Sequence, residues 1–210
     1  MKQPIRNVVF DLGGVVVDLA MERVREAYRE LGMPRMAELM DPCYPAEMNE
    51  RLERGDIDFH EACDAMRRID NRPEVTDEQI ATVYDEFLCR VDPAKIETIE
   101  QLRAAGIRTY VLSNTNPVAF GIVQRRFEEH GRRMEACFDG IFLSYRLRIL
   151  KPAPAIFERL IAESGIDPAQ TLFIDDGRRN ADAAAALGFR VFSPPTNGSF
   201  REAVEPLLHA

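Results

Sequence analysis

Residues 171–193, TLFIDDGRRNADAAAALGFRVFS, read as strand, helix and strand in succession. Thr171 to Ile174 form a short apolar run that stops at the paired acids Asp175 and Asp176. A helix follows from Asn180 to Leu187, Gly188 closes it, and FRVFS is a second short strand. Strands separated by one helix pair parallel across a crossover. The same unit recurs upstream. IRTYVLSN (107–114) is a strand, residues 117–130 a helix, GIFLS (140–144) a strand, and Pro152 to Glu163 a helix. Asp92-Pro93 supplies an N-cap and a proline at the first helical position, so a further helix runs to Ala105 with Gly106 ending it.

The first strand of this α/β pattern lies far away. NVVF (7–10) is an apolar run ending at Asp11, and Gly13-Gly14 breaks it before Val15 to Val17 continue inward. From residue 19 to residue 90 the texture changes. MERVREAYRELGM (21–33) and EMNERLERGDIDFHEACDAMRRI (47–69) space apolar residues at three and four, as amphipathic helices do, and no strand is expected among them. Thr76 to Gln79 match a capping box that opens a helix through Leu88. The expected fold is α/β: a Rossmann-like core with a parallel sheet, built from 1–17 and 91–210, and a small all-helical unit of 18–90 inserted after the first strand. In such sheets ligands bind beyond the carboxyl ends of the strands, and an insertion leaving from that edge covers the site as a lid.

Composition narrows the class. The chain has 210 residues, 46% hydrophobic and 30% charged, which supports a folded core of one or two domains. Lys and Arg total 27 against 35 acids, a net charge of −8, so general binding to nucleic acid or to an anionic membrane is not expected. Lys2 and Arg6 precede an apolar run as in a secretory signal, but Asp11 interrupts it and no cleavage site follows. No stretch approaches the roughly 20 apolar residues of a membrane span. Cys43, Cys63, Cys89 and Cys137 are scattered without a CxxC pair, which argues against structural zinc and for a reducing, cytoplasmic setting.

Four strand ends and their neighbours bring polar residues to one edge of the sheet. Strand one ends in Asp11, the second core strand in Ser113-Asn114, the fourth in Asp175-Asp176, and Lys151 opens the helix after the third. Each alone has an ordinary explanation as a cap or turn residue. Together they supply what phosphoryl transfer through a covalent intermediate requires: a carboxylate nucleophile, hydrogen-bond donors and a cation for the phosphoryl oxygens, and acids for Mg²⁺.

The stretches VVFDLGGVVVD, YVLSNTNP, LKPAPAIF and TLFIDDGRRNADAAAALGF are similar to the motifs of the haloacid dehalogenase superfamily, in its phosphatase branch with a helical cap after the first motif. They fall in the family's order and span nearly the whole chain. The resemblance implies that Asp11 is the nucleophile, that Ser113 binds the phosphoryl oxygens with Asn114 beside it, and that Lys151 neutralises charge. It implies Mg²⁺ held by Asp11, the Gly13 carbonyl and Asp176, with Asp175 nearby or bridging through water and Asn180 bracing the acidic loop. The implied activity is Mg²⁺-dependent hydrolysis of a small phosphorylated metabolite, sugar phosphates included. A non-catalytic phospho-ligand-binding protein and a metal-independent 2-haloacid dehalogenase are the alternatives.

Two departures from the family's pattern matter: in SYRLRILKP, Arg148 and Ile149 stand where relatives usually show a glycine and a lysine before the Lys-Pro, and the first motif lacks its second acid. The family's general acid stands two positions after the nucleophile, where this chain has Gly13. The DLGG form occurs in a sub-branch resembling glucose-1-phosphate phosphatases. The proton must then come from elsewhere: from Asp18, from a cap side chain, or from water. Asp18, where the chain leaves for the cap, reads first as a hinge residue. Glu53-Arg54-Gly55-Asp56 reads as a helix end and turn, and Cys43-Tyr44-Pro45 as loop packing or a substrate-facing string. Arg146 and Arg148 read as solvated or as positive charge at the entrance. One of Arg178 and Arg179 is expected to screen the acidic pair. His60, His130 and His209 form no ligand pair.

Overall fold

The computed structural model describes residues 3–40 and 47–208. Strand β1 (Asn7–Phe10) has all four residues buried, and after a tight loop the chain forms β2 (Val17–Leu19). Helices α1 (Met21–Glu30), α2 (Pro34–Leu39), α3 (Glu47–Arg54), α4 (Phe59–Asp70) and α5 (Asp77–Phe87) follow, and β3 (Leu88–Val91) returns the chain. Next come α6 (Pro93–Ala104), β4 (Arg108–Ser113), α7 (Pro117–Glu128), the short α8 (Met134–Cys137), β5 (Gly140–Leu143) and the short α9 (Ser144–Leu147). Helix α10 (Pro154–Ser164), β6 (Thr171–Ile174), α11 (Arg178–Ala186), β7 (Arg190–Phe192) and α12 (Arg201–Val204) complete the order.

Five strands form one sheet in the order β5-β4-β1-β6-β7. Every pair is parallel, and Val8 stands between Thr109 on β4 and Leu172 on β6. The period of two in β1 divides its side chains between the two faces. Val8 and Phe10 join an apolar cluster with Ile96 and Ile99 of α6 and Val123 and Phe127 of α7. Val9 packs on the other face with Phe157 and Leu160 of α10 and Ala184 of α11. Fully burying a Val or Phe side chain is worth roughly 1.5–3 kcal/mol, so β1, packed from both sides, anchors the sheet. No helix among the described residues is long and apolar enough to cross a membrane.

Local signals hold at several ends. The Asp92 side chain accepts from Ala94 N at the start of α6, and Pro93 follows it in the first turn. The Thr76 capping box forms as expected, and a second one joins Asp58 to Glu61 at the start of α4. Three boundaries move. Helix α5 ends at Phe87 because Leu88 begins a strand. Helix α10 starts at Pro154, and Ala153 N–H closes a turn on Leu150 O at 3.0 Å, so Lys151 lies in that turn and does not open the helix. Helix α11 starts at Arg178, which puts Asn180 in its first turn.

The helical segment is not free of strand. β2 and β3 pair antiparallel, with Val17 opposite Val91 and Asp18 opposite Arg90. Two runs of three and four residues carry too little periodicity to be read, and their partners are some seventy positions apart. Between them the five helices enclose their own apolar cluster around Tyr28, Met33, Met66 and Ile80.

Asp18 fastens this ribbon. Its carboxylate accepts from Lys95 Nζ and from Arg90 Nε, both at 2.8 Å. Burial raises the Asp18 pKa, but these two partners outweigh it and hold the carboxyl below its ordinary value of 3.8. Lys95 is itself buried. Asp18→Asn strands that ammonium and should cost about 3 kcal/mol, whereas exposed Arg90→Ala should cost less than about 1 kcal/mol. Because the folded pKa is lowered, the Asp18 contribution is present above the unfolded value and fades as pH falls through the folded one. Urea denaturation between neutral pH and pH about 3 should find that part of the acid lability missing in Asp18→Asn.

Candidate active site

β1 lies between β4 and β6, so the carboxyl ends of these three strands are neighbours in space. Asp11 follows β1, Ser113 ends β4, and Asp175 and Asp176 follow β6. The turn before α10 swings Lys151 into the same place. Its Nζ lies 3.0 Å from Asp11 Oδ1 and 2.6 Å from Asp175 Oδ2, with the Lys151 side chain only 1% exposed. Burial alone would lower the Lys151 pKa; the Asp11 and Asp175 charges more than reverse this and hold it above its ordinary value.

The supporting contacts are specific. Asn114 grips the Lys151 main chain from both sides: its Nδ2 donates to Lys151 O at 3.0 Å, and its Oδ1 accepts from Lys151 N at 2.8 Å. Asp175 is fully buried and accepts from Asn180 Nδ2 at 3.0 Å and from Gly177 N at 2.8 Å. Asp176 accepts from Thr196 Oγ1 at 2.6 Å. Burial pushes Asp176 up, the Thr196 bond opposes it, and the charge of Asp175 adds to the rise. Burial likewise drives Asp11 up to about 7 against the pull of Lys151, with Asp175 adding to the rise and the Ser113 hydroxyl opposing it.

Asp11, Asp175 and Asp176 each offer a carboxylate oxygen, all within 4.8 Å of one another. One ammonium cannot balance three acids, and a divalent cation with oxygen ligands fits that donor set. Gly13 and Gly14, beside them, are glycines for different reasons. Gly14 has φ +74°, and a Cβ there would lie 2.3 Å from Asp176 Oδ2. A Cβ at Gly13 would meet only the Leu19 side chain, at 3.6 Å.

A cavity of about 290 Å³ opens from this edge toward the helical segment. Asp11, Gly13, Ser113 and Asn114 form its polar floor; Leu19, Met21, Tyr84 and Phe87 supply apolar wall. Two residues of α3, Asn49 and Glu53, also line it. Asn49 Oδ1 is buried without a hydrogen-bond partner among the described residues. Burial pushes the Glu53 carboxyl up to about 7, with the charge of Asp11 adding to the effect and Lys151 opposing it.

Other expectations fare differently. Glu53 belongs to the cavity and not merely to a helix end. Asp18 is locked in the ribbon. Arg148 donates to Gly55 O at 2.8 Å and pairs with Asp56 at 3.1 Å, tying the helical segment to the core. Arg146 lies over the rings of Phe120 and Tyr145. Arg178 pairs with Asp182, and both it and Arg179 face solvent, so neither is placed to screen the acidic pair; Lys151 pairs with Asp175, and Thr196 donates to Asp176. His60 contacts Asp77, and His130 contacts Val91 O. Cys43-Tyr44-Pro45 and His209 lie outside the described residues. Sequence reasoning missed Thr196, Asn49 and Ser144; of these, only the apolar-flanked 49/53 spacing on one helix face carried any signal.

Such a constellation at the carboxyl edge of a parallel sheet, under a helical insertion, defines a hydrolase class. A model of the haloacid dehalogenase-like hydrolases matches residues 5–188, and the chain belongs to that family. It is 32% identical over 207 residues to a D-ribitol-5-phosphate phosphatase of Bacteroides thetaiotaomicron, across 98% of this chain and 100% of the relative. A haloacid dehalogenase-family enzyme of Bacteroides thetaiotaomicron, crystallised as an aspartate-to-alanine mutant with magnesium and inorganic phosphate, superimposes with TM-score 0.90 at 30% identity, over 95% of this chain and 98% of that one. A protein of Porphyromonas gingivalis described as a predicted haloacid dehalogenase-like family hydrolase does so with TM-score 0.88 at 34% identity, over 99% of this chain and 100% of that one.

Lys151→Ala tests the charge network. Without the ammonium, Asp11, which burial already pushes up to about 7 against the pull of Lys151, releases its proton at still higher pH in the folded chain than in the unfolded one. The variant should therefore lose about 3 kcal/mol or more near pH 8, and less near pH 5. Urea denaturation at both ends of that range checks it; a deficit independent of pH contradicts the assignment.

Proposed function

We propose that the protein is a Mg²⁺-dependent phosphatase of a small phosphorylated metabolite, with a polyol or sugar phosphate as its substrate class and an aspartyl phosphate on Asp11 as its intermediate. The observation that carries this reading is the asymmetric coordination of Asp11. Leu12 N, at 2.7 Å, and Lys151 Nζ, at 3.0 Å, both engage Oδ1. Oδ2 is left as the attacking oxygen. The relative acting on D-ribitol 5-phosphate supports the substrate class.

In this mechanism the phosphoryl group sits over Asp11 with its oxygens toward the Ser113 hydroxyl and the Lys151 ammonium. Asp11 Oδ2 forms the bond to phosphorus as the ester oxygen departs, and water then releases inorganic phosphate. Asn114 positions Lys151 through its main chain, and Asn180 holds Asp175 in place. Asp11, the Gly13 carbonyl and Asp176 are the residues that would hold Mg²⁺. When bound, the ion screens the approach of a carboxylate to a phosphoryl dianion. The excess of acids at this edge repels an anionic haloacid, which argues against dehalogenation. A free nucleophilic oxygen argues against a purely binding role. The buried thiols of Cys63 and Cys137 fit a reducing, cytoplasmic setting.

Hydrolysis of 4-nitrophenyl phosphate with and without chelator tests this directly. Asp11→Asn should fall to the buffer rate, and wild type in excess chelator should do the same. Ser113→Ala should lower kcat/KM by about 10²–10³, by similar factors for different phosphomonoesters, because the contact is to the group they share. Undiminished turnover in Asp11→Asn overturns the mechanism.

A further inference from the structure

The departing ester oxygen needs a proton that Gly13 cannot supply. Asp18 does not supply it either, since Lys95 and Arg90 hold it as a carboxylate in the β2–β3 ribbon. Among the described residues lining the cavity, the acids are Asp11 and Glu53. Glu53 is in the last turn of α3, and that turn is fastened to the sheet edge. Ser144 Oγ, fully buried, donates to Glu53 O at 2.6 Å, and the same hydroxyl accepts from Thr115 N at 2.9 Å. Two residues on, Gly55 approaches Tyr145 O so closely that a Cβ would lie 2.6 Å from it, and Arg148 donates to Gly55 O. The main chain at Glu53 is therefore fixed relative to Asp11. Its carboxyl has no hydrogen bond or ion pair among the described residues, and the nearby ammonium of Lys151 is taken by Asp11 and Asp175. One turn earlier on the same helix, Asn49 also lines this cavity.

We propose that Glu53 is a catalytic residue that protonates the leaving oxygen, taking the place of the acid missing at Gly13. This rests on the phosphatase reading. As Asp11 Oδ2 bonds to phosphorus, the phosphorus–ester oxygen bond breaks, its electron pair stays on that oxygen, and the oxygen takes the Glu53 proton. The Glu53 carboxylate next takes a proton from water as that water's oxygen bonds to phosphorus. The Asp11–phosphorus bond breaks, inorganic phosphate leaves, and Asp11 is again a carboxylate and Glu53 an acid.

The test compares two esters in wild type and Glu53→Gln: D-ribitol 5-phosphate, whose alkoxide needs the proton, and 4-nitrophenyl phosphate, whose phenolate leaves without one. Glu53→Gln should lose about 10²–10⁴ in kcat/KM on the ribitol ester and less than about tenfold on the aryl ester. On the aryl ester its kcat should still fall and a pre-steady-state burst should appear, because water attack on the aspartyl phosphate has lost its base. Equal losses on both esters, no loss on the ribitol ester, or a variant that unfolds in urea well before wild type would overturn the proposal alone. A wild type inactive on both esters would overturn the phosphatase reading beneath it.

Discussion

One ammonium, Lys151, stands between two buried carboxylates, and the site is organised around that contact. Taking each of these ions out of water costs several kcal/mol, which only dense coordination offsets. Asp175 receives it in full, from Lys151, Asn180 and the Gly177 amide. Lys151 receives it from two acids, and Asn114 fixes its main chain. Asp11 is held by Lys151 and the Leu12 amide on the same oxygen, and burial pushes its carboxyl up to about 7 against the pull of Lys151. Unequal coordination of chemically identical groups is what separates a scaffold aspartate from a reactive one.

The parallel sheet makes this contact possible. With β1 flanked by β4 and β6, three chain segments separated by about a hundred and sixty positions deliver their polar ends to one line. The fully buried strand interiors leave no freedom in that line, since a slip of one residue would turn Val9 and Phe10 to the wrong faces. Rigidity under the site comes from the core and its polar character from the edge.

The helical segment completes the site from above. It has an apolar cluster of its own, and Tyr84 and Phe87 are shared between that cluster and the core. It joins the core at two polar seams, the Asp18 ion pairs in the β2–β3 ribbon and the Ser144–Arg148 contacts to the end of α3. The second seam brings Asn49 and Glu53 over Asp11. A Cβ at position 13 would meet only ordinary contact with Leu19, whereas one at position 14 would strike Asp176. The lack of an acid at 13 is thus not imposed by space, and the protein's acid chemistry is free to come from the opposite wall.

The sequence by itself determined the alternation of strands and helices, because burial on two faces or one is written locally in the period of apolar residues. It determined helix starts at Pro93 and Asp77, where a cap and its target are two or three residues apart. It also determined which strands end in polar residues, and hence Asp11, Ser113, Asp175 and Asp176 as companions. Tertiary structure decided what depends on distant partners. Asp18 became an ion-paired clamp through Lys95; Asn114 turned to the Lys151 main chain; Arg148 tied down α3; Thr196 reached Asp176 from the loop after β7. Glu53, a plain glutamate in a charged helix, became a wall of the cavity because Ser144 captured its carbonyl ninety-one residues away. A hydrogen bond across that distance leaves no periodic trace in either segment, so only the folded chain reveals it.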